Sequence, residues 1–144
     1  MTAQTTVVID DTGFVAETWP HGFTANPREI AGEHGAGLDL EPEVDLSALT
    51  PRLTSIGLIR VHFSGFADGR GFTTARQLRL MGFTGRLRAF GPLIADQYAM
   101  ARRAGFDEVE IPADLAARQP QEHWLTRADW RTSDHQARLR APTA

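Results

Sequence analysis

Between residues 56 and 112 short apolar runs alternate with amphipathic stretches, and glycines close the amphipathic stretches. IGLIRVHF (56–63), RLRAFG (86–91) and DEVEI (107–111) read as three strands. The first is followed by a helical pattern from about Thr73 to Met81, with Gly82 as its stop. After the second, Pro92 occupies a first helical position; apolar residues recur at 93, 94, 98, 101 and 104, and Gly105 ends the helix. Pro112 opens a short helix, ADLAAR. The connections are too long for hairpins, so right-handed crossovers imply a small parallel sheet of strand-helix-strand-helix-strand units. Upstream, TTVVID and FVAETW flank an Asp-Thr-Gly turn and predict an N-terminal β-hairpin appendage. The predicted class is α/β or α+β. Residues 20–37 read as a loop or a short irregular helix, and ALTPRLTSIG as a turn leading into the first central strand. Residues 1–118 form a single domain on this reading, followed by a polar tail over 119–144 that holds two of the three Trp.

The strand faces add a detail. Ile59, Val61 and Phe63 alternate with Arg60 and His62, and Leu87 and Ala89 alternate with Arg86 and Arg88. Parallel strands covered on both faces read as continuous apolar runs, and these do not. One face is therefore left for a partner, a second subunit or the acidic N-terminal segment, with a solvated edge as the favoured place for Arg86 and Arg88.

Composition excludes more than it suggests. The chain has no cysteine, which removes thiolate catalysis and cysteine-held iron–sulfur clusters. It has no lysine either, all fifteen basic residues being Arg, which removes Schiff-base chemistry and the phosphate lysine of P-loop proteins. The absence of a basic-then-apolar leader and of any membrane-length apolar run makes cytoplasmic the default location, with no membrane partner. The acidic pI near 5.9 argues against nucleic acid. Net charge is −3, unevenly spread: residues 1–59 carry −7, residues 60–103 carry +6 and the remainder −2. The basic middle predicts an anionic partner, unless the acidic stretch LDLEPEVD (38–45) folds back on it. Whether the chain forms homo-oligomers stays open.

Ligands of open α/β sheets bind beyond the carboxyl ends of the strands. Two loops leave that edge, SGFADGRGF (64–72) and GPLIADQ (91–97). A glycine loop running into a helix N-terminus beside an Arg is a sound anion site. Arg70 is the expected contact, Gly69 and Gly71 give backbone access, and Asp68 and Asp96 orient the Arg. The alternative is that Asp68 starts a turn, or that Asp68 and Arg70 pair with each other or with Asp96 and Arg76 to fix the loop. Gln97 reads as a buried amide making specific hydrogen bonds. Arg102 and Arg103, at the end of the basic segment, complete the set of candidate anion- or partner-binding residues. GRGFTT has two glycines of a dinucleotide fingerprint but Thr74 in place of the third, so a nicotinamide fold is rejected. The cadence is similar to that of a two-component receiver domain, yet Val61 stands where the phosphoacceptor belongs and the lysine is missing. The five histidines have no metal-ligand spacing.

The run from LIRVHF to DEVEI resembles domain-of-unknown-function family 934, small bacterial proteins labelled probable oxidoreductases of sulfite reduction. The resemblance rests on F-x-DGRG-F-x-x-A-R-x-LR (Phe66 to Arg79), GF-x-G-x-LRA (Gly82 to Ala89), Asp96-Gln97 and RR-x-GFD (Arg102 to Asp107), within residues 38–112. It implies a role in assimilatory sulfite reduction, and so in sulfate assimilation and cysteine biosynthesis. Many relatives look to have Cys where this chain has Ala104. Since no redox cofactor motif is present, the expected role is an accessory protein binding sulfite reductase or an acidic ferredoxin through the basic segment. The alternative is an enzyme binding a sulfur oxyanion, or the phosphate of flavin mononucleotide, at Gly65–Phe72; no cofactor is otherwise predicted.

Overall fold

The computed structural model describes residues 6–27, 37–41, 45–65 and 67–130. Parts of the expected 20–37 loop, of the acidic 38–45 stretch and of the 119–144 tail, together with Phe66 of the family pattern, lie outside these residues.

The three alternating runs form β5 (Leu58–His62), β6 (Arg86–Phe90) and β7 (Glu108–Pro112), joined by α1 (Arg70–Leu80) and α2 (Tyr98–Ala104). A 3-10 turn, Ala95–Gln97, leads into α2. Gly105 stops α2 with φ +119°, a left-handed conformation in which its N–H returns to the Arg102 carbonyl. The hairpin is present as β1 (Thr6–Asp10) and β2 (Gly13–Val15). It is not an appendage: β1 pairs antiparallel with β7 from Thr6–Pro112 to Ile9–Val109 and extends the sheet. Two further strands precede the expected core, β3 (Phe23–Thr24) and β4 (Gly37–Leu40), with β4 parallel to β5. The sequence reading missed both, because two to four residues are too few for an alternation to register. The expected turn after β4 is a 3-10 helix over Leu46–Ser55 that buries Leu46, Leu49 and Leu53.

The described strands form one mixed α/β sheet in the order β2-β1-β7-β6-β5-β4-β3. From β3 to β7 the order is monotonic and parallel. Successive right-handed crossovers in one direction place every connecting helix on the same face. That face is the core, where Ile59, Val61, Leu87, Ala89 and Val109 meet Phe72, Ala75, Leu78 and Tyr98. The chain beyond β7 adds α3 (Ala113–Ala117) and α4 (Gln121–Arg127). Within the region read as a polar tail, Trp124 of α4 is 1% exposed and its ring meets Tyr98 edge-on.

Candidate functional site

The opposite sheet face carries the arginines. Alternation sends Arg60, His62, Arg86 and Arg88 away from the helices, and the register sets Asp39 beside Arg60 and Arg88 beside Glu108. Arg88 was expected at a solvated edge. Its strand instead lies between β5 and β7, and its side chain is 0% exposed. It donates to Glu108 at 2.5 Å and Glu110 at 2.9 Å, and forms a two-pronged pair with Glu17 at 2.7 and 2.8 Å. Arg60 binds Asp39 at 2.7 and 3.0 Å and Glu110 at 3.0 Å, while Arg86 binds Glu108 at 2.8 Å. Burial opposes the charge on Arg88, but the Glu17, Glu108 and Glu110 carboxylates more than offset it and hold its pKa above the ordinary value. In the same way burial raises the Asp39 carboxyl, yet His62 and Arg60 outweigh it and leave the pKa lowered.

The cover over this face is the chain after β2. Glu17 clamps Arg88, Trp19 packs over Gly57, and Phe23 stacks on the Arg60 guanidinium 3.7 Å from the ring centroid. Of the candidate occupants, it is the N-terminal segment that lies there. Three of the eight arginines of the 60–103 segment, Arg60, Arg86 and Arg88, are thereby neutralised by carboxylates from the chain after β2, from β4 and from β7, of which the 38–45 stretch contributes Asp39.

The glycine loop stands at the carboxyl end of β5, above Phe63, Phe72 and Phe106, whose rings pack 5.0 to 6.5 Å apart. Asp68 closes the loop on itself. Its Oδ1 accepts from the Arg70 N–H at 3.2 Å and Arg70 Nε at 2.9 Å, and its Oδ2 accepts from Ser64 Oγ at 2.9 Å. Hydrogen bonding from Arg70 holds the Asp68 carboxyl well below the usual carboxylate range. The α1 N-terminus already holds an anion, the protein's own Asp68. Arg70 stays half-exposed at 51%. Gly69 caps α1 with open space around it, whereas Gly71 is buried against the Phe63 ring, which a Cβ would overlap. The close Phe63 ring is thus a packing reason for glycine at position 71, beside the backbone access expected of it.

The second loop does not join the first. Asp96, expected to orient Arg70, binds Arg127 of α4 at 2.6 Å. Gln97 is half-buried, and its Oε1 accepts from the Ile94 N–H at 3.0 Å. Arg102 is a framework residue, bonded to Asp11 at 3.1 Å and to the Phe106 carbonyl at 2.5 Å. Arg103 is exposed on α2, and Ala104 is buried. Beside Asp96, an open groove of about 550 Å³ is lined by Ile94, Leu115, Arg118, Gln119, His123 and Arg127. Sequence reasoning had the short helix that became α3 but missed the α4 wall, because Gln119 onward reads as polar tail; Trp124, at the centre of a seven-residue helix, was the available signal.

A family model matches residues 37–142, nearly three-quarters of the chain, and so extends past the expected 38–112 core through α4. The chain belongs to DUF934, bacterial proteins of unknown function. No curated protein and no solved structure matches it. The DUF934 region thus includes both the closed loop and the groove, along with every strand from β4 to β7. Among the described residues, no cluster of three or more His, Asp or Glu has the arrangement of a metal site, and no helix is long and apolar enough to cross a membrane.

Proposed function

We propose that this DUF934 protein is an accessory protein of assimilatory sulfite reduction, docking on sulfite reductase or its acidic ferredoxin donor through the outer face of α1 and α2. One observation supports the docking face. The two helices contain five arginines and no acidic residue, and they pack side by side. Arg60, Arg86 and Arg88 face the far side of the sheet, and Arg79 and Arg102 are half-buried against Asp107 and Asp11; the exposed members of the basic segment are Arg70, which pairs with Asp68, Arg76 and Arg103. Beside them Leu80 is 87% and Met100 48% exposed. Arginine flanking exposed Met and Leu is a composition suited to protein recognition. The sulfite-reduction context comes from the DGRG and RR-x-GFD patterns, and the lack of Cys and Lys favours a binding role over a redox one. The competing reading, a sulfur oxyanion or flavin phosphate at Gly65–Phe72, gains less support, since Asp68 already takes the N–H groups such an anion needs.

Sedimentation of the full chain with the sulfite reductase of its own organism tests the proposal, with the ferredoxin run in parallel. The expected result is a stoichiometric complex that weakens from low to physiological salt as the Debye length falls to about 8 Å. Arg76→Glu with Arg103→Glu should weaken it at least ~10-fold, as reversal of steering charges does. Absence of a complex with either partner, or indifference to both reversals, would overturn the proposal.

A further inference from the structure

We propose that the groove between the Ala95–Gln97 turn and the α3–α4 pair binds a small organic anion, a carboxylate or phosphate carried on an apolar body. The groove opens beyond the carboxyl ends of β6 and β7, the edge at which open α/β sheets take ligands. Its volume of about 550 Å³ falls within the range of roughly 300–1,000 Å³ for small-molecule sites. The walls are preformed. Gln119 accepts from the Ala95 N–H at 2.6 Å and donates to the Leu93 carbonyl at 3.4 Å, while buried Trp124 ties the Gln119 carbonyl at 3.1 Å. Ile94 and Leu115 supply apolar surface.

The cations at the rim define the ligand's charge. Arg118 is exposed and its guanidinium makes no ion pair among the described residues. Arg127 is held by Asp96, but this pair is weak by position, its side chains being 43% and 71% exposed. An anion bridging Arg118 and Arg127 would displace Asp96, the only carboxylate lining the groove among the described residues. Asp96 then acts as a competitor of the ligand, opposite to the orienting role its place in the sequence suggests.

An amide NMR titration of the full chain with phenyl phosphate tests this. Saturable shifts at Ala95, Leu115 and Gln119 are expected, with inorganic phosphate binding more weakly because it leaves Ile94 and Leu115 uncovered. Arg118→Ala, at an exposed position that does not support the fold, should weaken binding about 10-fold or more, the worth of a charge-assisted hydrogen bond. Asp96→Asn should tighten it several-fold by releasing Arg127. Shifts that do not saturate by about 20 mM, that centre elsewhere, or that ignore both substitutions would overturn the proposal. Equal affinity for inorganic phosphate would refute the apolar part of the site.

Discussion

Replacing Arg88 by Met removes one guanidinium from the middle of the sheet while keeping most of its volume. The side chain is 0% exposed and touches three carboxylates, which fare differently once it is gone. Glu108 keeps Arg86 at 2.8 Å, and Glu110 keeps Arg60 at 3.0 Å and Thr6 at 2.8 Å. Glu17 loses its guanidinium partner. Breaking a buried ion pair from one side costs about 3–5 kcal/mol, and retained partners for two of the carboxylates place Arg88→Met near ~3 kcal/mol. With a urea slope of about 2 kcal/mol/M, the unfolding midpoint should drop by roughly 1.5 M. The pH dependence gives a second handle. Arg88's hydrogen bonds are the largest cause holding the Glu17 pKa at about 2, against an ordinary 4.5. A gap of about 2.5 in pKa corresponds to about 3.4 kcal/mol at full strength. Glu17 is 43% exposed, and solvent screening reduces that to about 1–2 kcal/mol. Because the folded-state pKa is depressed, this stabilisation is complete above about pH 4.5 and disappears as pH falls toward 2. Glu17→Gln should therefore cost about 1–2 kcal/mol at pH 7, almost nothing near pH 2, and little at any pH when Arg88 is already Met. Urea titrations followed by circular dichroism measure all three. An Arg88→Met loss under about 1 kcal/mol, or a Glu17 penalty unchanged between pH 5 and pH 2.5, would refute the reasoning.

Gly71→Ala should destabilise by about 1–3 kcal/mol, as overpacking does, because its Cβ would overlap the Phe63 ring. Phe63→Leu in the same chain should recover part of the loss, read from thermal melts. Trp124→Ala should cost about 3–5 kcal/mol, the range for emptying a large aromatic site. It should also flatten the near-ultraviolet circular dichroism contributed by the Tyr98–Trp124 contact; a melt unchanged from the parent would mean that α4 is dispensable.

The β5-α1-β6-α2-β7 unit was legible because each element announces itself locally. Alternation of Ile59, Val61, Leu87 and Ala89 with arginines signals a strand, and Gly105 must take a positive φ wherever a helix ends on it. The DGRG loop and the GPLIADQ loop were likewise placed correctly at one sheet edge. Their chemistry was not legible. Asp96 is five residues from the end of an expected strand, but its partner Arg127 is 31 residues away in a segment without apolar periodicity. Arg70 and Asp68 pair as one of the sequence-level alternatives had it, while Gly71's role depends on where the Phe63 ring comes to rest.

By itself, then, the sequence determined the order of the β5-α1-β6-α2-β7 unit and its parallel pairing, the family, and the exclusion of thiolate and lysine chemistry. It also determined that Arg60, His62, Arg86 and Arg88 share the face opposite the apolar residues, since side-chain parity along a strand is a local property. Only the tertiary structure decided what meets them. Arg88's partners lie 20, 22 and 71 residues away, and an ion pair depends on distance in space, which the linear charge pattern does not contain. A segment that carries +6 along the chain thus became in large part an internal framework, with Arg70, Arg76 and Arg103 as its exposed arginines.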